Sequence, residues 1–151
     1  MATYDISGGA NGYPWKGQGA CFCLERKVVF PNNVAQGDQF ILFNVPKGAT
    51  IFKYELIVER PDEGASSCTV SLKKDGTSLS TVDATGKNTK VMTPAMLEVI
   101  TSDVEISMGV DALTVTDPNK DRAIVTARVF IIGMAYSDEA KDNTINVVAL
   151  T

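Results

Sequence analysis

The chain has 151 residues, 44% hydrophobic and 21% charged, with 14 basic residues against 18 acidic ones and a net charge of -4. That length suits one domain able to bury roughly 68% of its unfolded surface, which excludes disorder across the whole chain. The basic residues stand singly or in short pairs such as Lys73-Lys74, which disfavours binding to a phosphate backbone or to anionic lipid.

No run of apolar residues is long enough for a membrane-spanning helix. The opening residues, Met1-Ala2-Thr3-Tyr4-Asp5, lack the basic and then apolar regions of a secretory signal, so a protein made and kept in a cytoplasm, or passively released from one, is expected.

Residues 1–20 read as an extended, flexible N-terminal arm. Ser7-Gly8-Gly9-Ala10-Asn11-Gly12 and Lys16-Gly17-Gln18-Gly19-Ala20 are glycine-rich, and Tyr13-Pro14-Trp15 lies between them. Glycine loses much freedom on ordering, so such a segment is held only where a surface holds it. Trp15 is the single tryptophan. It either folds back on its own domain or, with Tyr13 and Pro14, anchors the arm in a partner, since aromatics dominate binding hot spots.

From residue 21 to 151 the pattern is that of strands. Phe22, Leu24, Val28 and Phe30 share one parity, interrupted by Arg26, and Pro31-Asn32-Asn33 is a turn signal. After the turn Gln36-Gly37-Asp38 comes the apolar run of residues 39–45, closed by Pro46-Lys47-Gly48. Phe52, Tyr54, Leu56 and Val58 then alternate with Lys53, Glu55, Ile57 and Glu59, the period of a half-buried strand.

Arg60-Pro61-Asp62-Glu63-Gly64 is a long turn. Cys68, Val70 and Leu72 alternate next, and Lys74-Asp75-Gly76 predicts a type I′ hairpin. Leu79 and Val82 mark a weaker strand, followed by a loop at residues 84–88. Residues 93–100 fit either a short helix capped by Thr93 with Pro94 at its first position, or a bent strand. Val104, Ile106 and Met108 alternate, then Leu113 and Val115, before a turn at residues 117–121. The strongest strand signal covers residues 123–136, apolar on both parities, as a central strand or one touching a partner would be. A polar stretch, 137–143, precedes a last strand at 145–150. Eight to ten short strands without a helical pattern predict an all-β antiparallel sandwich, jelly-roll-like.

Chemistry finds little purchase. The chain has no histidine, so neither a Ser-His-Asp nor a Cys-His arrangement can be built. Cys21, Cys23 and Cys68 have no framework spacing and read as small buried hydrophobes; zinc, which wants four nitrogen or sulfur ligands, is rejected. Residues 12–18 lack the Lys-Ser/Thr ending of a phosphate loop. Asp117, Asn119 and Asp121 open like a calcium loop, but Arg122 and Arg128 occupy the positions of its glycine and glutamate. Asp62-Glu63, Asp103-Glu105 and Asp138-Glu139 could act as carboxylate pairs, yet they sit at turns and strand rims where solvated charge is expected. The chain is read as a non-enzyme without cofactor or metal.

The run Ala35-Gln36-Gly37-Asp38, the strand Phe40 to Val45, Pro46-Lys47-Gly48, the alternating strand from Ile51 to Val58 and the closing strand ending in Tyr136 together resemble small β-sandwich virion proteins of tailed bacteriophages. That resemblance, over about residues 30 to 136, implies a capsid decoration or auxiliary head protein at the virion surface. Its partner would be the major capsid protein, and the chain would be a homo-oligomer, often a trimer. The same family of sandwiches serves in head fibres and tail appendages, so the alternative is a module gripping a host-surface glycan. A carboxylate-based hydrolase is the third and weakest reading.

Overall fold

The computed structural model describes residues 1–5 and 21–132. Its strands are β1 (Thr3–Asp5), β2 (Cys21–Val29), β3 (Gln39–Val45), β4 (Thr50–Arg60), β5 (Ala65–Lys74), β6 (Thr77–Asp83), β7 (Thr89–Met92), β8 (Glu98–Val99), β9 (Val104–Val115) and β10 (Ile124–Ile132). The described part of each expected strand is present. Residues 93–100 resolve in favour of the bent strand: β8 follows β7 along the same edge, with no helix between.

The strands form two sheets, ordered β1-β3-β9-β5-β6 and β2-β10-β4-β7, with β8 also on β4. Pairing runs β2 with β10, β3 with β9, β4 with β7 and β8, and β5 with β6, all antiparallel. The chain is thus one long hairpin, its tip at β5 and β6, rolled so that successive strands of each arm fall in opposite sheets, apart from β7 and β8, which both lie on β4. This is the jelly-roll arrangement. At the tip Asp75 and Gly76 have φ of 48° and 82°, the two positive values that a type I′ turn requires.

Alternation puts Leu56, Val58, Val70, Leu72, Ile106, Met108, Val125, Val129 and Ile131 between the sheets, all buried. Each large side chain so covered contributes about 1.5–3 kcal/mol of transfer free energy. The core breaks strict alternation at bulges. In β3, Leu42 and Phe43 are adjacent and both fully buried, because the register against β9 slips between Ile41 and Phe43. In β4 a slip between the partners of Phe130 and Ile131 turns Ile51 inward and leaves Phe52 half-exposed against Phe130, 5.9 Å away. Phe52 therefore leaves the core parity that it shares in sequence with Tyr54 and Leu56.

Thr3–Asp5, inside the stretch read as an arm, forms β1, parallel to β3. Asp38, buried, fixes it: its carboxylate accepts from the Ala2 N–H at 2.8 Å and from the Ala35 N–H at 2.9 Å. Tyr4 stacks on Phe40 at 5.0 Å, and Phe40 on Phe30 at 5.6 Å. Residues 6–20 and 133–151, with the expected strand at 145–150, lie outside the described residues.

One end of the sandwich is locked by a buried ion pair. Arg122 gives Nε and Nη2 to the two Asp62 oxygens at 2.9 and 3.0 Å, and Nη1 to the Asn32 carbonyl at 3.1 Å. Asp62, expected as a solvated turn carboxylate, is 2% exposed. The reason is local: the turn before β5 bends inward, and Gly64 N–H donates to Asp62 at 3.0 Å. A side chain at Gly64 would bring its Cβ to 2.4 Å from the Asp117 carbonyl oxygen and 3.1 Å from Arg122 Cδ. The same backbone is pinned from the other side, since the Gly64 carbonyl accepts from Thr116 and Asp117. Gly64→Ala is therefore expected to cost about 1–3 kcal/mol, the range of forced overpacking, read as a lower urea midpoint.

Candidate interaction surfaces

The residues that carried possible chemistry are largely engaged with their own framework. Asp62 is committed to Arg122. Asp103 accepts from the Lys47 N–H at 2.9 Å, and the carboxylate of Asp117 accepts from the Asn119 N–H at 3.0 Å, closing its own turn. Among the described residues no three acidic, cysteine or histidine side chains converge on a point that could hold a metal ion. Asp138 and Glu139 lie outside the described residues.

Cys68 is buried among core residues, and that burial pushes its thiol up to about 12. Cys23 departs from the expectation of a buried hydrophobe. It is exposed on the outward side of β2, and partial burial still raises its pKa against the nearby Arg128. Neither thiol has the lowered pKa of a nucleophile. Tyr13, Pro14 and Trp15, the partner-binding candidates of the arm, lie outside the described residues.

The outward side of the β2-β10-β4 sheet is a lattice of cross-strand charge pairs. Arg128 stands directly opposite Glu25 on one flank and Glu55 on the other, with contacts of 2.6 and 3.6 Å. Lys27 reaches Glu59 at 3.0 Å and holds its carboxyl below the usual range. Lys53 sits 4.2 Å over the ring of Phe130. Opposed charges on neighbouring strands are worth about 0.2–1 kcal/mol each, so this face is kept soluble and registered at modest gain. Arg26, on the inward parity of the edge strand β2, lies 5.7 Å over the Phe43 ring. An inward-pointing charge on an edge strand discourages further strand addition.

The edge of β4 differs. Ile51 pairs with Glu98 and Tyr54 with Met92, so residues 93–97 of one strand span only Phe52 and Lys53 of the other. The surplus arches away from the sheet. Pro94, with no N–H to give, suits the break in the ladder. Met96 and Leu97 stand on the arch 81% and 59% exposed, with Val91 and Val99 exposed beside its feet. Several large apolar side chains grouped on one raised edge mark an interaction surface more than a solvent surface. In the sequence, the only signal of this arch was the conflict between helix and strand over residues 93–100.

The arch is footed between the sheets. Glu98 accepts from the Tyr54 hydroxyl, on β4, and from Lys74 Nζ, on β5, at 2.7 Å. Burial pushes the Glu98 carboxyl up, but these two donors outweigh it and hold it below the usual range. Burial, and then the hydrogen bond to Glu98, raises the Tyr54 hydroxyl well above its ordinary value. Beyond Glu98, Ile100 is buried, its N–H on the Ala49 carbonyl and its carbonyl on the Gly48 N–H, both at 2.8 Å.

No family model matches the chain, and no curated protein matches it in sequence. Solved structures do match in fold. A chain from the capsid of Ralstonia phage GP4 superposes with a TM-score of 0.62 at 14% identity, covering 89% of this chain and 99% of that one. A chain of the cyanophage Pam1 capsid asymmetric unit gives 0.59 at 17% identity, over 77% of this chain and 86% of that one. A chain from the acidic stable capsid of Helicobacter pylori bacteriophage KHP30 gives 0.55 at 18%, over 77% and 90%. At these identities the likeness is one of fold.

Proposed function

We propose that this chain is a structural protein of a tailed-phage virion, and within it a capsid decoration (cement) protein that binds the outer capsid surface and stabilises the head. One observation carries the reading: a single jelly roll aligns over 86–99% of the length of three chains from phage capsids. Those chains are spanned almost whole. The engaged carboxylates and the absence of histidine agree with a protein that acts by contact.

On this reading the partner is the major capsid protein, the chain works as a homo-oligomer, and no reaction is catalysed. The rigid sandwich presents the apolar arch around Met96 and Leu97. The arm carrying Tyr13, Pro14 and Trp15 ties the sandwich to capsid subunits. Modest contacts repeated over a symmetric lattice then sum to strong attachment.

The test is co-sedimentation of the purified chain with heads of the phage that lack it. Saturable binding is expected, together with heads that survive a higher temperature. Tyr13→Ala with Trp15→Ala is expected to weaken binding at least roughly tenfold, since hot-spot aromatics are worth about 2 kcal/mol or more each. These substitutions leave β1 and its Tyr4 stack in place. Heads that neither bind the chain nor gain heat resistance would contradict the proposal.

A further inference from the structure

We propose that Glu98 is an acid-released clasp: it fastens the foot of the apolar arch to both sheets, and protonation frees the arch while the sandwich stays folded. The geometry is specific to this place. One foot of the arch is β7 on β4; the described backbone holds the other foot by the two-residue strand β8 against Thr50 and Ile51, and by Ile100 against Gly48 and Ala49. So short a ladder is weak by itself, and segments with few backbone bonds open locally before the rest of a domain does. What distinguishes this foot is its side chain. Glu98 belongs to the β2-β10-β4 sheet, whereas its partner Lys74 closes the end of β5 in the opposite sheet, 2.7 Å away. Tyr54, almost fully buried, supplies the second donor from β4.

Among the described residues, the charged and titratable groups that bond Glu98 are Lys74 from β5 and Tyr54 from β4. Near the β5–β6 tip the Asp75 carboxylate accepts from the Glu105 N–H at 2.8 Å, and the Asp75 N–H donates to the Glu105 carbonyl at 2.8 Å. A proton taken from solvent onto Glu98 removes the negative member of the ion pair and leaves Lys74 and Tyr54 competing for a neutral, weaker acceptor. Because the folded carboxyl lies below its unfolded value, the fastening is complete above the ordinary carboxylate range. It is lost as pH falls through the folded value, below the ordinary carboxylate range.

The arch release is a property of the sandwich alone; that it loosens a capsid contact rests on the virion reading above. Hydrogen exchange of the full-length chain, corrected for intrinsic rates, tests the clasp. At pH 6.5 the amides of Ile100 and Gly48, which bond across this foot at 2.8 Å, are expected to be protected. At pH 3 their protection is expected to fall roughly tenfold or more, the scale of a lost charge-assisted hydrogen bond, while β9 amides such as that of Ile106 stay protected. Glu98→Gln is expected to give fast exchange at both pH values. Lys74→Met, which keeps the carboxylate, is expected to loosen the arch at pH 6.5 and to move the remaining acid transition to higher pH. Equal protection of the wild-type arch at both pH values would overturn the proposal. So would an unchanged transition in Lys74→Met, or a Glu98→Gln chain that still responds to acid. Head binding in the same samples separates the two claims: an arch that opens in acid without loss of binding supports the clasp and removes the arch from the capsid contact.

Discussion

Arg122→Ala is expected to lower stability by about 3–5 kcal/mol, because it strands a buried carboxylate without its cation. Few positions join so much of the chain. Through Arg122 the turn after β2 (Asn32 carbonyl), the turn before β5 (Asp62) and the turn before β10 meet at one end of the sandwich. Arg60 adds a bond from its Nε to the Arg122 carbonyl at 2.9 Å. Both members of the ion pair are about as buried as the leucines of the core, at 2% exposure, so water cannot take the place of the lost partner. Asp62→Asn is expected to be nearly as costly, since it leaves the guanidinium uncompensated. The double change Arg122→Met with Asp62→Leu is expected to recover much of the loss, because apolar groups of similar volume remove the desolvation penalty of both charges. Urea unfolding of the parent and the three variant chains supplies the comparison. Single losses under about 1 kcal/mol, the range of surface ion pairs, would show that the pair is solvated.

Phe43→Ala is expected to be of similar size, about 3–5 kcal/mol, by removing a buried ring and leaving a cavity. The bulge of β3 makes this position unusual, for it turns Leu42 and Phe43 inward side by side, against Ile106 and its neighbours in β9. Collapse around the missing ring is resisted because the bulged backbone already departs from the regular ladder. The guanidinium of Arg26 over the ring loses its apolar neighbour at the same time. Phe52→Ala, on the half-exposed outer side of β4, is the control and is expected to cost clearly less. Equal losses at the two positions would mean that the inward register of β3 is wrong.

These two sites show what was readable in the chain and what was not. Strand positions were legible because alternation of apolar residues is a local property, and the Asp75-Gly76 hairpin was legible because only certain residues accept two positive φ values. Bulges were not, since a bulge is a mismatch between two strands and neither strand records it alone. Phe52 and Leu42 mark that limit. Leu113 fits the same account: β9 slips against β5 between the partners of Thr69 and Val70, which explains why its parity differs from that of Met108. The Arg122–Asp62 pair was hidden for a related reason. Its members are 60 positions apart, and each taken singly reads as a polar turn residue. The arch left a trace only as ambiguity, because two exposed apolar residues after Thr93-Pro94 satisfy neither a helix nor a strand. Thr3–Asp5 was read as arm because three residues carry too little pattern to reveal pairing with β3.

On the proposed reading, the work of this protein is attachment. The arch and the arm are the two places where that attachment is expected, and the arch lies at the edge of β4, outside the charge-paired sheet face. The most direct measurement is a density map of phage heads carrying this chain, compared with heads that lack it. The account predicts added density the size of one jelly roll, repeated with the symmetry of the shell on its outer surface, with residues 93–97 or the arm against the capsid protein. Density for this chain confined to the tail, or to the interior of the head, would contradict it.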